Sequence, residues 1–183
     1  MSGGGPPPIP VELVAHSSEW AMQAAAEAER LKSALGETLI AVHHIGSTAI
    51  PGIVAKPVVD LIPEVSSLAE LDRARDSVAA LGYDWWGEYG IAGRRYCTLA
   101  DPATGKRIVQ LHCFEAGSLD IPRHIAFRDY LRANPPKAKA YEEMKLKARD
   151  LHPQDSHSYS AAKSSWIVAM EDEAIRAREA SDK

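Results

Sequence analysis

Cysteine is scarce: the 183 residues contain only Cys97 and Cys113. Two thiols exclude a disulfide framework, and their separation excludes a clustered thiolate zinc site. Such usage fits a reducing, cytoplasmic compartment. No apolar run approaches the roughly 18 residues needed to cross a bilayer; the longest are short segments such as residues 166–170. The N-terminus, MSGGGPPPIP, lacks a basic region, an apolar stretch and a lipidation signal, so residues 1–10 read as a flexible lead-in and no membrane partner is expected. Positive charge is not in excess either. With 21 Lys and Arg against 25 Asp and Glu, the net charge of −4 argues against a protein that coats nucleic acid. There is no internal repeat, no Gly-x-Ser-x-Gly elbow and no Ser/His/Asp order, which leaves a serine hydrolase without support.

What is present is a chain that should fold. Hydrophobic residues make up 45% and charged residues 25%, close to the average for globular proteins, and the length suits a single core. A first helix is expected over residues 19–35, with Ser17 or Ser18 as N-cap, Gly36 at its end, and Trp20, Ala24, Ala28, Leu31 and Leu35 on one stripe. Residues 38–45 read as a strand running into Gly46-Ser47-Thr48, and residues 57–65 as a second strand. Ser67 and Glu70 have capping-box spacing for a helix closed by Gly82. Three antiparallel strands are expected at about residues 83–89, 94–99 and 107–114. Helices follow: one with Pro122 at its first position, one after Pro135-Pro136, and one from about Ser156. This order predicts an α+β fold with a mixed or antiparallel sheet flanked by helices and a C-terminal helical segment. Residues 171–183 read as a helical tail that frays.

Charge is uneven along these elements. Residues 123–149 carry eight Lys or Arg against three acids. Such a block is either a solvated helical face or the lining of an anion site.

The segment that points to chemistry is His44-Ile45-Gly46-Ser47-Thr48-Ala49-Ile50-Pro51-Gly52-Ile53-Val54-Ala55-Lys56-Pro57-Val58-Val59-Asp60. A strand delivers a Gly-Ser turn in which Gly46 permits close approach, Ser47 offers a hydroxyl, and successive N–H groups are able to cradle a phosphate. Asp60 then sits among Val58, Val59, Leu61 and Ile62, where an ionised carboxylate needs a cation or several donors. His43 and His44, adjacent on a strand, point to opposite faces and cannot chelate one metal together. His44 either orients the turn or contacts phosphate, and Lys56 is either a point charge for phosphate or an exposed loop lysine. The pairs Tyr141/Lys145 and Tyr159/Lys163 are spaced i, i+4, which puts both members on one helix face.

The pattern H-x-G-S-T-x-x-P-G-x-x-x-K-P-x-x-D resembles the GrpB family of the polymerase-β-like nucleotidyltransferase superfamily. So do Arg128-Asp129-Tyr130-Leu131 and the two Y-x-x-x-K pairs, and the resemblance spans about residues 11–170. It implies a minimal nucleotidyltransferase core in which the Gly-Ser turn holds the phosphates of a nucleoside triphosphate, ATP by analogy, and strand carboxylates hold Mg²⁺. Asp60, Ser47 and His112 are the implied catalytic group. His44, Gly46, Thr48, Lys56, Arg128, Tyr141, Lys145, Tyr159 and Lys163 are the implied phosphate and nucleotide contacts. The partner would be a small acceptor molecule.

Two-metal nucleotidyl transfer uses a D-x-D pair and a third acid from a neighbouring strand. Here the pair reads Asp60-Leu61-Ile62, and an aliphatic side chain does not bind a hard cation. Glu64 shares the face of Asp60 but lies about 13 Å away at roughly 3.3 Å per residue. His112 stands where the superfamily often has its third acid. Two functions are therefore expected from this pattern: a transferase, or a nucleotide-binding or chaperone-like module that has lost transfer chemistry.

Overall fold

The structure is a computed structural model that describes residues 5–181. The elements are α1 (Glu19–Leu35), β1 (Leu39–Ile45), β2 (Val59–Val65), α2 (Leu68–Arg73), α3 (Arg75–Ala80), β3 (Asp84–Trp85), β4 (Arg94–Ala100), β5 (Arg107–Glu115), α4 (Asp120–Ala133), α5 (Pro135–Leu151) and α6 (Ser156–Ser181). The strands form one mixed sheet in the order β1-β2-β5-β4-β3. Its central pair, β2 and β5, is parallel and places Asp60 beside Gln110. The other pairings are antiparallel, and β4 against β5 sets Tyr96 opposite His112. The α+β class expected from the sequence is the one observed.

Period-2 alternation divides the sheet's residues between two environments. Val59, Leu61, Val109 and Leu111 face α1, α2 and α3, where Trp20, Leu31, Leu71 and Val78 close the main core. The stripe on α1 carries one buried carboxylate, Glu27, which accepts hydrogen bonds from Tyr83 Oη at 2.8 Å and Arg30 at 2.6 Å. Burial and that carboxylate push the Tyr83 hydroxyl far above its usual range. On the opposite face Ile45, Ile62 and Phe114 pack under Ile121 of α4. A third cluster joins the helices: Phe127, Leu131, Tyr141 and Met170 enclose Ile50 and Ile53 from the loop after β1. That loop therefore belongs as much to the helical half as to the sheet.

Several boundaries differ from expectation for local reasons. The strand expected over residues 83–89 is only Asp84–Trp85, because the following turn needs positive φ at Gly87, Gly90 and Gly93 and also at Tyr89. The helix capped by Ser67 breaks at Ala74 into α2 and α3. Its capping box is half-formed: Ser67 Oγ accepts from the N–H groups of Ala69 and Glu70, while Glu70 turns to Arg73 instead of reaching back. Ser67→Ala should cost about 1 kcal/mol of stability, read as a lower urea midpoint with an unchanged slope. Helix α4 starts at Asp120, which places Pro122 third, still within the first turn that tolerates it.

The ends are more tied down than their composition implies. Residues 1–4 lie outside the described residues. From there the lead-in has no regular structure, but Ile9 exchanges backbone contacts with Ser156, the N–H of Ile9 donating to Ser156 Oγ and the N–H of Ser156 to the Ile9 carbonyl, both at 3.0 Å. Val11 bonds Pro153 and Val14 pairs with Ala55. Of the expected tail, residues 171–181 continue α6 and residues 182–183 lie outside the described residues; Glu171 and Ala174 are buried. Among the described residues no helix is long and apolar enough to cross a membrane.

Candidate functional site

The site is built first from a turn. Gly46 leaves β1 with φ +71° and ψ −170°, and a short 3-10 turn, Ser47–Ala49, follows. A β-carbon at Gly46 would lie 2.8 Å from Asp60 Oδ2, so the glycine is what lets the turn sit against that carboxylate. The turn's own ladder uses the N–H groups of Ala49 and Ile50. Ser47 Oγ–H donates to Tyr141 Oη at 3.2 Å, which links the turn to α5.

Tyr141 is held on both sides, stacked on Trp166 at 5.2 Å between ring centroids and met edge-on by Phe127. Burial pushes its hydroxyl up to about 12. One helical turn further on, Lys145 is 1% exposed, donates to the Val54 carbonyl and lies 4.6 Å from the Tyr141 ring centre. The second pair repeats this arrangement on α6: Lys163 is 9% exposed, with its ammonium 4.0 Å from the Tyr159 ring centre. Lys56, in the loop before β2, approaches the same ring from its own side at 5.5 Å. Burial pulls both Lys145 and Lys163 down to about 7, and Lys163 is lowered further by Lys56 and Lys145 and partly restored by Asp60. Lys56 is lowered by burial as well. Three lysines and one aspartate therefore share a single electrostatic neighbourhood, and among the described residues none of the lysines forms an ion pair.

Asp60 has an ordered partner of its own. His112 Nε2 lies 3.3 Å from Asp60 Oδ1, and Arg94 Nη1 lies 3.3 Å from His112 Nδ1. A guanidinium only donates and a carboxylate only accepts, so this chain assigns the proton of a neutral His112 to Nε2. Arg94 in turn is fixed by the carbonyls of Glu88 and Tyr89 and stands over the Tyr96 ring at 4.9 Å.

Other expected contacts are spent on structure. His44 Nε2 bonds Thr48 Oγ1 at 2.9 Å, and burial holds the imidazole down to about 4, so a neutral His44 orients the turn and brings no charge to a phosphate. Arg128 donates to the His44 carbonyl at 3.0 Å and pairs with Asp129; Arg132 donates to the Ala49 carbonyl at 2.6 Å. Both fasten α4 to the turn from behind. Of the rest of the basic block, Arg123 is paired with Asp120 and Glu171, Lys137 with Glu173, Lys139 with Glu142 and Arg149 with Asp150, while Lys147 is exposed. Only Lys145 of that block reaches the site.

The residues do not fit a two-metal cage. Ile62 is fully buried in its apolar cluster. Glu64 is taken by His43, whose Nε2 donates to it at 2.9 Å. Among the described residues no group of three His, Cys, Asp or Glu side chains converges on a point. Asp60 is left as one carboxylate, enough for a divalent ion only if the ion's other ligands are phosphate oxygens and water.

The sequence reading missed Arg94, Tyr96, Arg107 and Gln110. Arg94, Tyr96, Gln110 and His112 lie on the Asp60 face by strand alternation, which was the available signal; for Arg94 it did not single out a partner, because an arginine near a strand end looks like an ordinary surface residue.

The family model for GrpB protein matches residues 10–173. This chain belongs to the GrpB family. A UPF0157 protein, YqkA, from Bacillus subtilis is 41% identical over 166 residues, covering 91% of this chain and 48% of the relative, so the chain spans about half the length of that protein. The glutamate-rich protein GrpB of Alkalihalophilus pseudofirmus is 33% identical over 159 residues, covering 86% of this chain and 91% of the relative. Among solved structures, the conserved protein GrpB from Enterococcus faecalis superposes with a TM-score of 0.84 at 33% identity, covering 91% of this chain and 99% of that one. The GrpB fold and the motif residues named above thus share one framework.

Proposed function

We propose that this GrpB protein binds a nucleoside triphosphate, ATP in the first instance, and transfers its nucleotidyl group to a small acceptor. The observation that supports the reading is the gathering of Lys56 and Lys163 on the Tyr159 ring under the influence of Asp60, with Lys145 on the ring of Tyr141, whose hydroxyl meets Ser47, and no carboxylate within ion-pair distance of any of the three among the described residues. Buried and half-buried ammonium groups with no carboxylate in contact are costly, and a polyphosphate would compensate all three together. In the transfer, the acceptor's hydroxyl oxygen attacks the α-phosphorus; a new P–O bond forms, the bond to the β-phosphate bridge breaks, and pyrophosphate leaves with its electron pair toward the lysines. Asp60 receives the hydroxyl proton, with His112 fixing the carboxylate's orientation. A non-catalytic nucleotide binder is the second reading, and the buried Ile62 favours it.

The test is a thermal-shift and pyrophosphate-release assay of the chain and its Asp60→Asn variant with ATP, with and without Mg²⁺. The transferase reading expects ATP to raise the melting temperature and pyrophosphate to appear with some acceptor, the release being lost in Asp60→Asn. A Mg²⁺-dependent part of the shift that disappears in Asp60→Asn assigns an ion to that carboxylate. Stabilisation without pyrophosphate supports the second reading. No shift from ATP under either condition overturns both.

A further inference from the structure

The Asp60–His112 pair borders a second space that the triphosphate does not need. A cleft of about 420 Å³ runs between the β4–β5 face and the start of α6; its wall includes Lys56, Arg94, Tyr96, Arg107, Gln110 and His112. That is the size of a small-molecule site. The wall carries three cations and no Asp or Glu. Arg94 is 6% exposed and donates to two carbonyls and His112, with no carboxylate within ion-pair distance among the described residues. Among the described residues the Arg107 side chain donates only to the carbonyl of Pro7, at 3.3 Å. Tyr96 Oη–H donates to Gln110 Oε1, which leaves the Gln110 amide N–H groups toward the cleft. Its far side is closed where Tyr89 Oη meets His157 Nε2 at 3.3 Å, with Tyr89 stacked on Tyr96.

We propose that this cleft is the acceptor subsite and that its ligand is a small molecule carrying a carboxylate or phosphate, held by Arg107 with Gln110 donating to it. The group to be modified then lies over Asp60 and His112. The word acceptor rests on the transferase reading; the preference for an anion rests on the cleft alone. A planar guanidinium suits the two oxygens of either group, and the aromatic wall excludes water beside it.

The experiment is an amide and side-chain NMR titration of the full chain with glycerol 3-phosphate, glycerate and uncharged glycerol, repeated in Arg107→Gln and, separately, with ATP. The expected result is saturable shifts of the Gln110 side-chain amide and the Arg107 Nε–H with one or both anions, none with glycerol, and at least ten-fold weaker anion binding in Arg107→Gln with the rest of the spectrum unchanged. Whichever anion binds more tightly distinguishes carboxylate from phosphate. The proposal is overturned if glycerol shifts these signals as much as the anions do, if Arg107→Gln binds the anions unchanged, if no probe shifts them, or if ATP occupies these signals and anions do not. ATP shifts at Ser47 and Lys163 report on the nucleotide reading independently: anion binding without them leaves the cleft intact and removes the triphosphate.

Discussion

Replacing Lys163 by Met should weaken ATP binding by roughly ten- to a hundred-fold while making the free protein more stable. The loss follows from removing a charged donor, typically about 1.5–3 kcal/mol. The gain follows from geometry: Lys163 is almost fully enclosed, its ammonium rests on the Tyr159 ring, and among the described residues it has no hydrogen-bond acceptor. Met fills a similar volume without a charge to desolvate. The same burial sets a pH signature. Burial lowers Lys145 and Lys163 to about 7 in the folded chain, against an ordinary value of 10.5. Between those values the unfolded chain binds more protons than the folded one, so the stability of the free protein should rise as pH rises from about 7 toward 10.5. A bound polyphosphate reverses the preference and draws protons onto the lysines. ATP affinity should therefore fall as pH rises above 7, and calorimetry at pH 8 in buffers of different ionisation enthalpy should show proton uptake. Flat affinity from pH 6 to 9, or a Lys163→Met variant that melts lower and binds ATP normally, would show that the lysines do not meet phosphate.

The other large effect belongs to Gly46. Gly46→Ala should cost about 3 kcal/mol and disable the site together. Its backbone, φ +71° and ψ −170°, lies in a region almost reserved for glycine, where another residue costs about 1–3 kcal/mol. The added β-carbon would also press on Asp60 Oδ2. Asp60 has little room to yield, because its backbone is paired with Ile45 on one side and Gln110 on the other. Gly52→Ala is the comparison: its φ is +81° but its β-carbon would meet nothing, so the cost should stay near about 1 kcal/mol. Urea unfolding of both variants separates backbone strain from the contact with Asp60; equal losses would remove the contact from the explanation.

Much of this was legible in the sequence because it is written locally. The first helix matches its expected limits, and the strand expected to end at residue 45 delivers the Gly46-Ser47 turn where it was expected. What was not legible depends on distant partners. Nothing within residues 123–149 shows that Arg128 and Arg132 grip the carbonyls of His44 and Ala49, so the basic block could not be sorted into clamp and site from charge alone. Arg94 is likewise meaningful only through His112, paired from another strand. The break at Ala74 and the short β3 were missed because turn geometry outweighed propensity there. The i, i+4 tyrosine–lysine pairs show the division clearly. Spacing gave a shared helix face, but only the tertiary structure brings both pairs to the same aspartate.

The latch between Ile9 and Ser156 has a consequence for how the chain is made. Ser47, Lys56 and Asp60 leave the ribosome early, Lys145 follows with α5 and Lys163 with α6, and the contacts of Ile9 with Ser156 wait for α6. A nascent chain arrested before α6 holds the turn, the carboxylate, Lys56 and Lys145 but lacks Lys163. On the proposed function, such a chain should bind nucleotide more weakly than one in which α6 has brought Lys163 onto the Tyr159 ring.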